Sequence, residues 1–302
     1  MKNQMDTLSR PQNQSKSRRQ SARLRSAIEP LEQRQLLSGT LTTLANFGTT
    51  PYGGYEIASG VTRDASGNLF GTTLLGGTNG AGTVYEVAAG SGAITTLANF
   101  DATSGGTNAG VTLDANGDLF GTTSGGANSD GTVFEIVAGS GTLTTLHSFD
   151  GTDGNHPKAA VTLNANGDLF GTTQSGGAGG GGTVFEIAAG TGVATVLGNF
   201  NSTTGADPTS GVTLDSHGDL FGTTLYGASA LGGANYADGT VFEVVHGSHT
   251  VTTLASFNGT NGQSPFGGVV LDSAGNLLND RAWRRRPLRR HGLRGGGRNP
   301  RD

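Results

Sequence analysis

Apolar and polar positions alternate in short bursts along this chain, and the bursts return in the same order. From Gly110 the order is "GVTLD", "ANG", "DLFGTT", a Gly-rich stretch, "GTVFEI", "VAGSG" and then "TLTTLHSF", which ends at Phe149. Bursts of Val, Thr, Leu and Phe bounded by Gly, Asn and Asp are how short strands separated by tight turns look. The pattern predicts four strands per unit: a over "GVTLD", b over "DLFGTT", c over "GTVFEI", and d over the segment that ends on Phe. Between a and b, Asp and Asn hydrogen-bond to their own backbone and Gly accepts positive φ, which turns the chain in few residues.

The leucine of strand b stands at positions 69, 119, 169 and 220. Strand c recurs as "GTVYEV" at Gly82, "GTVFEI" at Gly131 and Gly182, and "GTVFEV" at Gly239. Strand d closes each unit at Phe100, Phe149, Phe200 and Phe257, and a lone copy, "TLTTLANF", precedes the first unit at Thr40–Phe47. Self-similarity at this period signals a repeat architecture. A solenoid coil is shorter, about 20–30 residues, and does not need two hairpins per repeat; four antiparallel strands match one β-propeller blade. The expected fold class is all-β: a β-propeller-like repeat of four-stranded antiparallel blades, with four full copies and partial ones at the ends.

Twelve of the thirteen phenylalanines sit at repeated slots. Phe47, Phe100, Phe149, Phe200 and Phe257 end strand d; Phe70, Phe120, Phe170 and Phe221 lie in strand b; Phe134, Phe185 and Phe242 lie in strand c, with Tyr85 in the remaining copy. A blade covered by neighbours on both faces needs large apolar groups at fixed positions, and each buried ring contributes roughly 1.5–3 kcal/mol. One blade alone cannot bury both faces, so the repetition is itself the means of folding.

Composition agrees and adds a charge partition. Fifty-four glycines argue against long helices. The net charge of −4 divides into +5 over residues 1–39, −17 over 40–280, where only Arg63 and Lys158 are cationic, and +8 over 281–302. An acidic middle repels phosphate backbones, so the folded part is not expected to bind nucleic acid. It could attract divalent cations. There is no cysteine, hence no disulfide and no thiol chemistry. No apolar run is long enough for a transmembrane helix.

Candidate chemistry is sparse. Glu86, Glu135, Glu186 and Glu243 share a slot late in strand c. They could form a ring of carboxylates for a cation or sugar hydroxyls, but a symmetric set serves architecture more readily than catalysis, which needs different groups in different roles. Asp114, Asn116 and Asp118 resemble part of a calcium loop without its ligand count or distal Glu, and turn chemistry accounts for them without metal. No cofactor is expected, with calcium the one alternative. The glycine pairs at Gly76, Gly125 and Gly176 lack the lysine and helix of a phosphate cradle. His147, His156, His217, His246 and His249 fall on unrelated slots and read as surface residues, and no serine sits in a nucleophile elbow. The insertion "YGASALGGANYAD" (Tyr226–Asp238) lengthens one b–c loop, and Tyr226, Tyr236 and Asp238 are the ligand-contact candidates, because departures from a repeat map to binding loops.

The order "LFGTT…GG…GTVFE…GSGT" resembles the GloVer-type (Gloeo/Verruco) tandem repeat of bacterial extracellular proteins. The resemblance covers residues 40 to about 278. It implies a propeller and a secreted or surface setting, and carries no ligand or catalytic residue with it. Upstream, "RLRSAIEPLEQRQLLSG" (Arg23–Gly39) is similar to the LEPR-XLL segment of large bacterial surface proteins: Glu32, Arg34, Leu36, Leu37 and Ser38 match, with Gln33 where that name has proline. It lacks the apolar stretch of an ordinary signal peptide, so export is implied by the resemblance alone.

The last copy begins as "DSAGNLL" at Asp272 and then turns into "NDRAWRRRPLRRHGLRGGGRNPRD". In GC-rich coding DNA, Gly and Ala codons read out of frame give Arg, so residues from Asn279 read as an out-of-frame terminus; a basic tail for anionic surfaces is the alternative. Three regions follow: a disordered basic export- or sorting-like segment (1–39), the repeat domain (40–278) and an arginine-rich aberrant tail (279–302). The functional expectation is an extracellular or cell-surface binding or scaffolding module, with a surface polysaccharide or protein as partner. The rivals are a propeller-class enzyme of lyase or lactonase type, with its site at the central channel, and a truncated non-functional product. A lone, non-repeated His or acid pair at equivalent channel positions would favour the enzyme, and the sequence offers none.

Overall fold

The computed structural model describes residues 42–47, 54–57, 59–126, 128–227 and 238–278. Residues 1–43 and 44–302 are separate compact units. The segment 1–39, the tail 279–302 and Tyr236 lie outside the described residues.

The described residues hold nineteen strands and no helix. The first sheet contains β1 (Tyr55–Ile57), β2 (Thr62–Arg63), β3 (Leu69–Leu75), β4 (Thr83–Val87) and β5 (Ile94–Asn99). The second contains β6 (Val111–Leu113), β7 (Leu119–Thr123), β8 (Thr132–Ile136) and β9 (Leu143–Ser148). The third runs β10 (Thr162–Leu163), β11 (Leu169–Thr173), β12 (Thr183–Ile187) and β13 (Ala194–Asn199). The fourth runs β14 (Thr213–Leu214), β15 (Leu220–Thr224), β16 (Thr240–Val244) and β17 (Val251–Ser256). A two-stranded piece, β18 (Val270–Leu271) and β19 (Leu277–Leu278), follows. Each full sheet pairs antiparallel in chain order, with a bulge between strands c and d beside the aromatic residue of strand c. The chain is thus an all-β, propeller-like succession of four-stranded blades.

Strand a is shorter than the sequence predicts. It covers three residues in the second sheet and two in the first, third and fourth; Pro157 and Pro208, which cannot donate to a ladder, stand five residues upstream of it in the third and fourth. The first sheet has Ile57 in that place, and there the extra strand β1 pairs with β3. Thr42–Phe47, expected as a lone strand d, forms no strand. A strand needs a hydrogen-bonded neighbour, and the strand c that would lie beside it is not among the described residues.

The letters of "LFGTT" each have a structural task. The glycine lies opposite the aromatic ring of strand c, Gly121 against Phe134 and Gly171 against Phe185; a Cβ at Gly171 would come within 2.5 Å of the Phe185 ring. The first threonine reaches the next sheet: Thr122 Oγ1 donates to Ala159 O (2.9 Å) and Thr172 Oγ1 to Ser210 O (2.8 Å). The second meets the threonine of strand c, as in Thr173–Thr183 (2.9 Å) and Thr224–Thr240 (2.7 Å). A hydroxyl with no exposure needs such a partner, since orphaned buried polar groups cost about 1–3 kcal/mol.

Consecutive sheets stack face to face. The ring that ends strand d sits edge-on to the strand c ring of the next sheet: Phe100–Phe134, Phe149–Phe185 and Phe200–Phe242, with centroids 4.8–5.4 Å apart. The apolar clusters confirm it, each drawing on two neighbouring sheets, as Val133 and Phe149 join Leu169 and Phe185. Inner strands are tied as well: the Thr62, Thr112, Thr162 and Thr213 hydroxyls donate to Val111, Val161, Val212 and Val269 carbonyls in the following copy.

Candidate functional site at the head of the inner strands

The blades have two ends. One carries the a–b and c–d turns, and there the copies agree. Asp114 Oδ1 accepts from the Asn116 and Asp118 amides (both 2.8 Å), and Asp118 Oδ1 accepts from Ala138 N (2.7 Å), fastening one turn to the other. Asn68, Asp168 and Asp219 make the same bond to Ala89, Ala189 and His246. Asp114 Oδ1 and Asp118 Oδ1 are therefore committed to backbone N–H groups, and Asp114 Oδ2 accepts from the Asn116 side-chain amide (3.0 Å). In the third copy Asn164 does the work of Asp114, so the turn does not depend on a carboxylate. Among the described residues no group of three or more His, Cys, Asp or Glu is arranged to hold a metal ion.

The recurring glutamates stand opposite the strand b phenylalanines, Glu135 across from Phe120 and Glu186 across from Phe170. They are half-buried. Burial, then the charges of Asp118 and Asp114, raise the Glu135 carboxyl above its ordinary value. Glu86 lines a crevice of about 400 Å³ between the first two sheets, and Glu186 lines the corresponding crevice of about 190 Å³ between the third and fourth. His246 and His249 line the second crevice where Ala138 and Gly141 line the first.

The other end, where strand d gives way to strand a and strand b to the b–c loop, carries the departures from the repeat. Five residues before the first valine of strand a, the copies hold Glu56, Gly106, His156, Asp207 and Ser264. Four of these are non-glycine residues with positive φ: 60° at Glu56, 52° at His156, 60° at Asp207 and 47° at Ser264. Such conformations are uncommon and persist where surroundings enforce them. Here the backbone serves as a joint between sheets. His156 N donates to Asp130 O (2.6 Å) in the previous copy, while His156 O accepts from Gln174 N (3.2 Å); Asp207 N donates to Gly181 O (3.0 Å) and its carbonyl accepts from Leu225 N (2.9 Å). The joint fixes the backbone and leaves the side chain free to vary. His156 is consequently not on an unrelated slot; it shares its position with Asp207 and Ser264.

At Asp207 this produces a distinct chemical environment. Burial raises its carboxyl above the ordinary value, against the opposing influence of a hydrogen bond from the Gln174 side chain and the charge of Lys158. Asp207 Oδ1 and nearby Thr209 Oγ1 are buried and, among the described residues, have no hydrogen-bond partner. Buried polar atoms are nearly always partnered, so two orphans in one place call for an explanation. Tyr226 is adjacent: Ala206 and Tyr226 exchange backbone hydrogen bonds of 3.1 Å, and the tyrosine is 40% exposed. The structure thus brings the loop candidate Tyr226 beside Asp207, which the sequence did not single out; Asp238 re-enters at the far end of the same loop, just before β16. The one available signal was the proline that follows three of the five slots, at Pro157, Pro208 and Pro265.

Residues 33–230 match the Gloeobacter/Verrucomicrobia repeat, and the chain belongs to that family. No curated protein matches it. Among solved structures, TolB from Acinetobacter baumannii overlays 66% of this chain on 46% of its own, at 14% identity and a TM-score of 0.41. The chain spans about half the length of that protein. A nidogen/laminin complex overlays 71% of this chain on 70% of its own (14% identity, TM-score 0.45), and a gluconolactonase from Xanthomonas campestris 76% on 71% (14%, 0.46). At these values the likeness transfers neither ligand nor reaction. No helix among the described residues is long and apolar enough to cross a membrane.

Proposed function

We propose that the chain is a secreted or surface-exposed binding module whose ligand is a neutral, hydroxyl-rich saccharide held at the head of the inner strands around Asp207. The observation that carries this reading is the pair of orphaned oxygens, Asp207 Oδ1 and Thr209 Oγ1, beside Gln174, Lys158 and exposed Tyr226. A carboxylate accepts, an amide does both and an ammonium donates, which suits vicinal hydroxyls; an aromatic ring covers the apolar face of a sugar. The charge distribution favours a neutral ligand over a polyanion, because residues 40–280 carry −17 and Lys158 is one of only two cations there. Binding is the role supported, since the site offers recognition groups and no nucleophile set against a base.

The test is an array of neutral and uronate-containing oligosaccharides probed with the whole chain. The expected result is retention of a neutral glycan, weakened about tenfold or more by Asp207→Ala or Tyr226→Ala and unchanged by Glu186→Gln or by a calcium chelator. Retention insensitive to both substitutions, or no retention on any neutral glycan, contradicts the reading.

A further inference from the structure

The two crevices are built from the same slots of the repeat and differ in what faces the shared glutamate. In the first, Phe70, Leu97, Leu119 and Ile136 supply an apolar lining, and Glu86 stands across strands from Phe70. Val137, Ala138, Gly139 and Gly141, from the c–d turn of the second sheet, line the other side. Val137 is 48% exposed, and a Cβ on Gly139 would meet no atom within 4 Å, so this turn leaves the space open. In the second crevice Phe170 and Glu186 hold the corresponding places, but the imidazoles of His246 and His249 stand where Ala138 and Gly141 leave room.

Glu86 is half-buried beside these apolar groups, and among the described residues no cation is paired with it. A carboxylate that gives up part of its water to apolar neighbours gains from a cation brought in with a ligand. Size selects between the crevices. Small-molecule sites span about 300–1,000 Å³, with a mostly apolar lining and few polar groups; the first crevice, at about 400 Å³, meets that description, and the second, at about 190 Å³, falls below it. Charge selects the sign of the ligand. Residues 40–280 carry −17, which concentrates cations near the surface, and no basic side chain lines the first crevice.

We propose that the crevice between the first two sheets binds a small ammonium compound with an apolar stem, its ammonium on the Glu86 carboxylate and its stem against Phe70, Leu97 and Val137. Thr96 lines the same crevice and supplies a hydroxyl acceptor for the ammonium. An anionic ligand meets Glu86 as a like charge, and a neutral alcohol leaves that carboxylate without a counter-ion. The glutamate therefore recurs with the repeat, while its use depends on the turn that faces it. The site lies at the end of the blades opposite Asp207 and stands whether or not a saccharide binds there.

The test is calorimetric titration of the whole chain with phenethylammonium chloride at physiological ionic strength. One saturable site is expected, with a dissociation constant of about 0.1–1 mM. The neutral isostere 2-phenylethanol and the ringless butylammonium should each bind about tenfold more weakly or less. Glu86→Gln, nearly equal in shape, should cost about tenfold, and Glu186→Gln should change nothing. Val137→Ala places in the turn the residue that Ala88 and Ala188 already provide in other copies; it should weaken binding about threefold, and it carries the decision should Glu86→Gln fail to fold. No saturation up to about 10 mM, equal binding of 2-phenylethanol, indifference to Glu86→Gln in the folded protein, or loss on Glu186→Gln overturns the proposal.

Discussion

Strands b and c and the head of strand a obey opposite rules. In strands b and c the four copies agree almost letter by letter, and the shared glycine, threonines and strand c ring are each engaged: glycine beneath a ring, threonines in buried hydroxyl pairs, rings between sheets. Five residues before the first valine of strand a the backbone joint recurs at His156 and Asp207 with unlike side chains, and across the five copies the slot holds Glu, Gly, His, Asp or Ser. The difference teaches where to look in a repeat protein. Identity across copies marks what the stack requires, and freedom within a fixed joint marks what the stack can lend to a ligand.

Three substitutions sharpen that contrast. The largest effect is expected from Gly171→Val, which places a side chain where the Phe185 ring lies 2.5 Å from the would-be Cβ. Overpacking of this kind destabilises by about 3 kcal/mol, read as a drop in the urea unfolding midpoint. A substitution at the variable slot acts differently. Burial raises the folded-state pKa of Asp207, so its contribution to stability is present in full below its ordinary value of 3.8 and is lost as pH rises through the raised value. Asp207→Asn removes that dependence, and the variant gains on the parent between acid and neutral pH. Asp101 has the reverse sign. Hydrogen bonds from Thr103 and Ser104 hold its carboxyl at about 2, so its contribution is present above 3.8 and fades as pH falls through about 2. Asp101→Asn therefore loses ground at neutral pH, by a small amount because the group is near the surface.

Period, strand order and aromatic slots were legible in the sequence, because burial between like neighbours forces like residues into like places. The five-stranded first sheet was not: Ile57 pairs in the extra strand β1, at a slot that holds Thr107 in the second copy and proline in the other three. Nor was the Asp207 environment. Self-comparison detects agreement, and a slot holding five different residues leaves no trace in it; the orphaned oxygens, the positive φ and the approach of Lys158 exist only in three dimensions. Tyr226 was visible as part of an insertion, but its pairing with Ala206 at the head of strand a, and the hydrogen bond from the Gln174 side chain to Asp207 next to it, are revealed by no spacing in the chain.

The account rests on sheets that lie against one another through the rings of strands d and c, and a double-mutant cycle of Phe149→Leu and Phe185→Leu tests this most directly. The two residues belong to different sheets, and their rings lie 5.1 Å apart. Unfolding free energies of the parent, both single variants and the double variant should give a coupling of about 1 kcal/mol. Strictly additive losses would contradict face-to-face stacking, and with it the joint that presents Asp207.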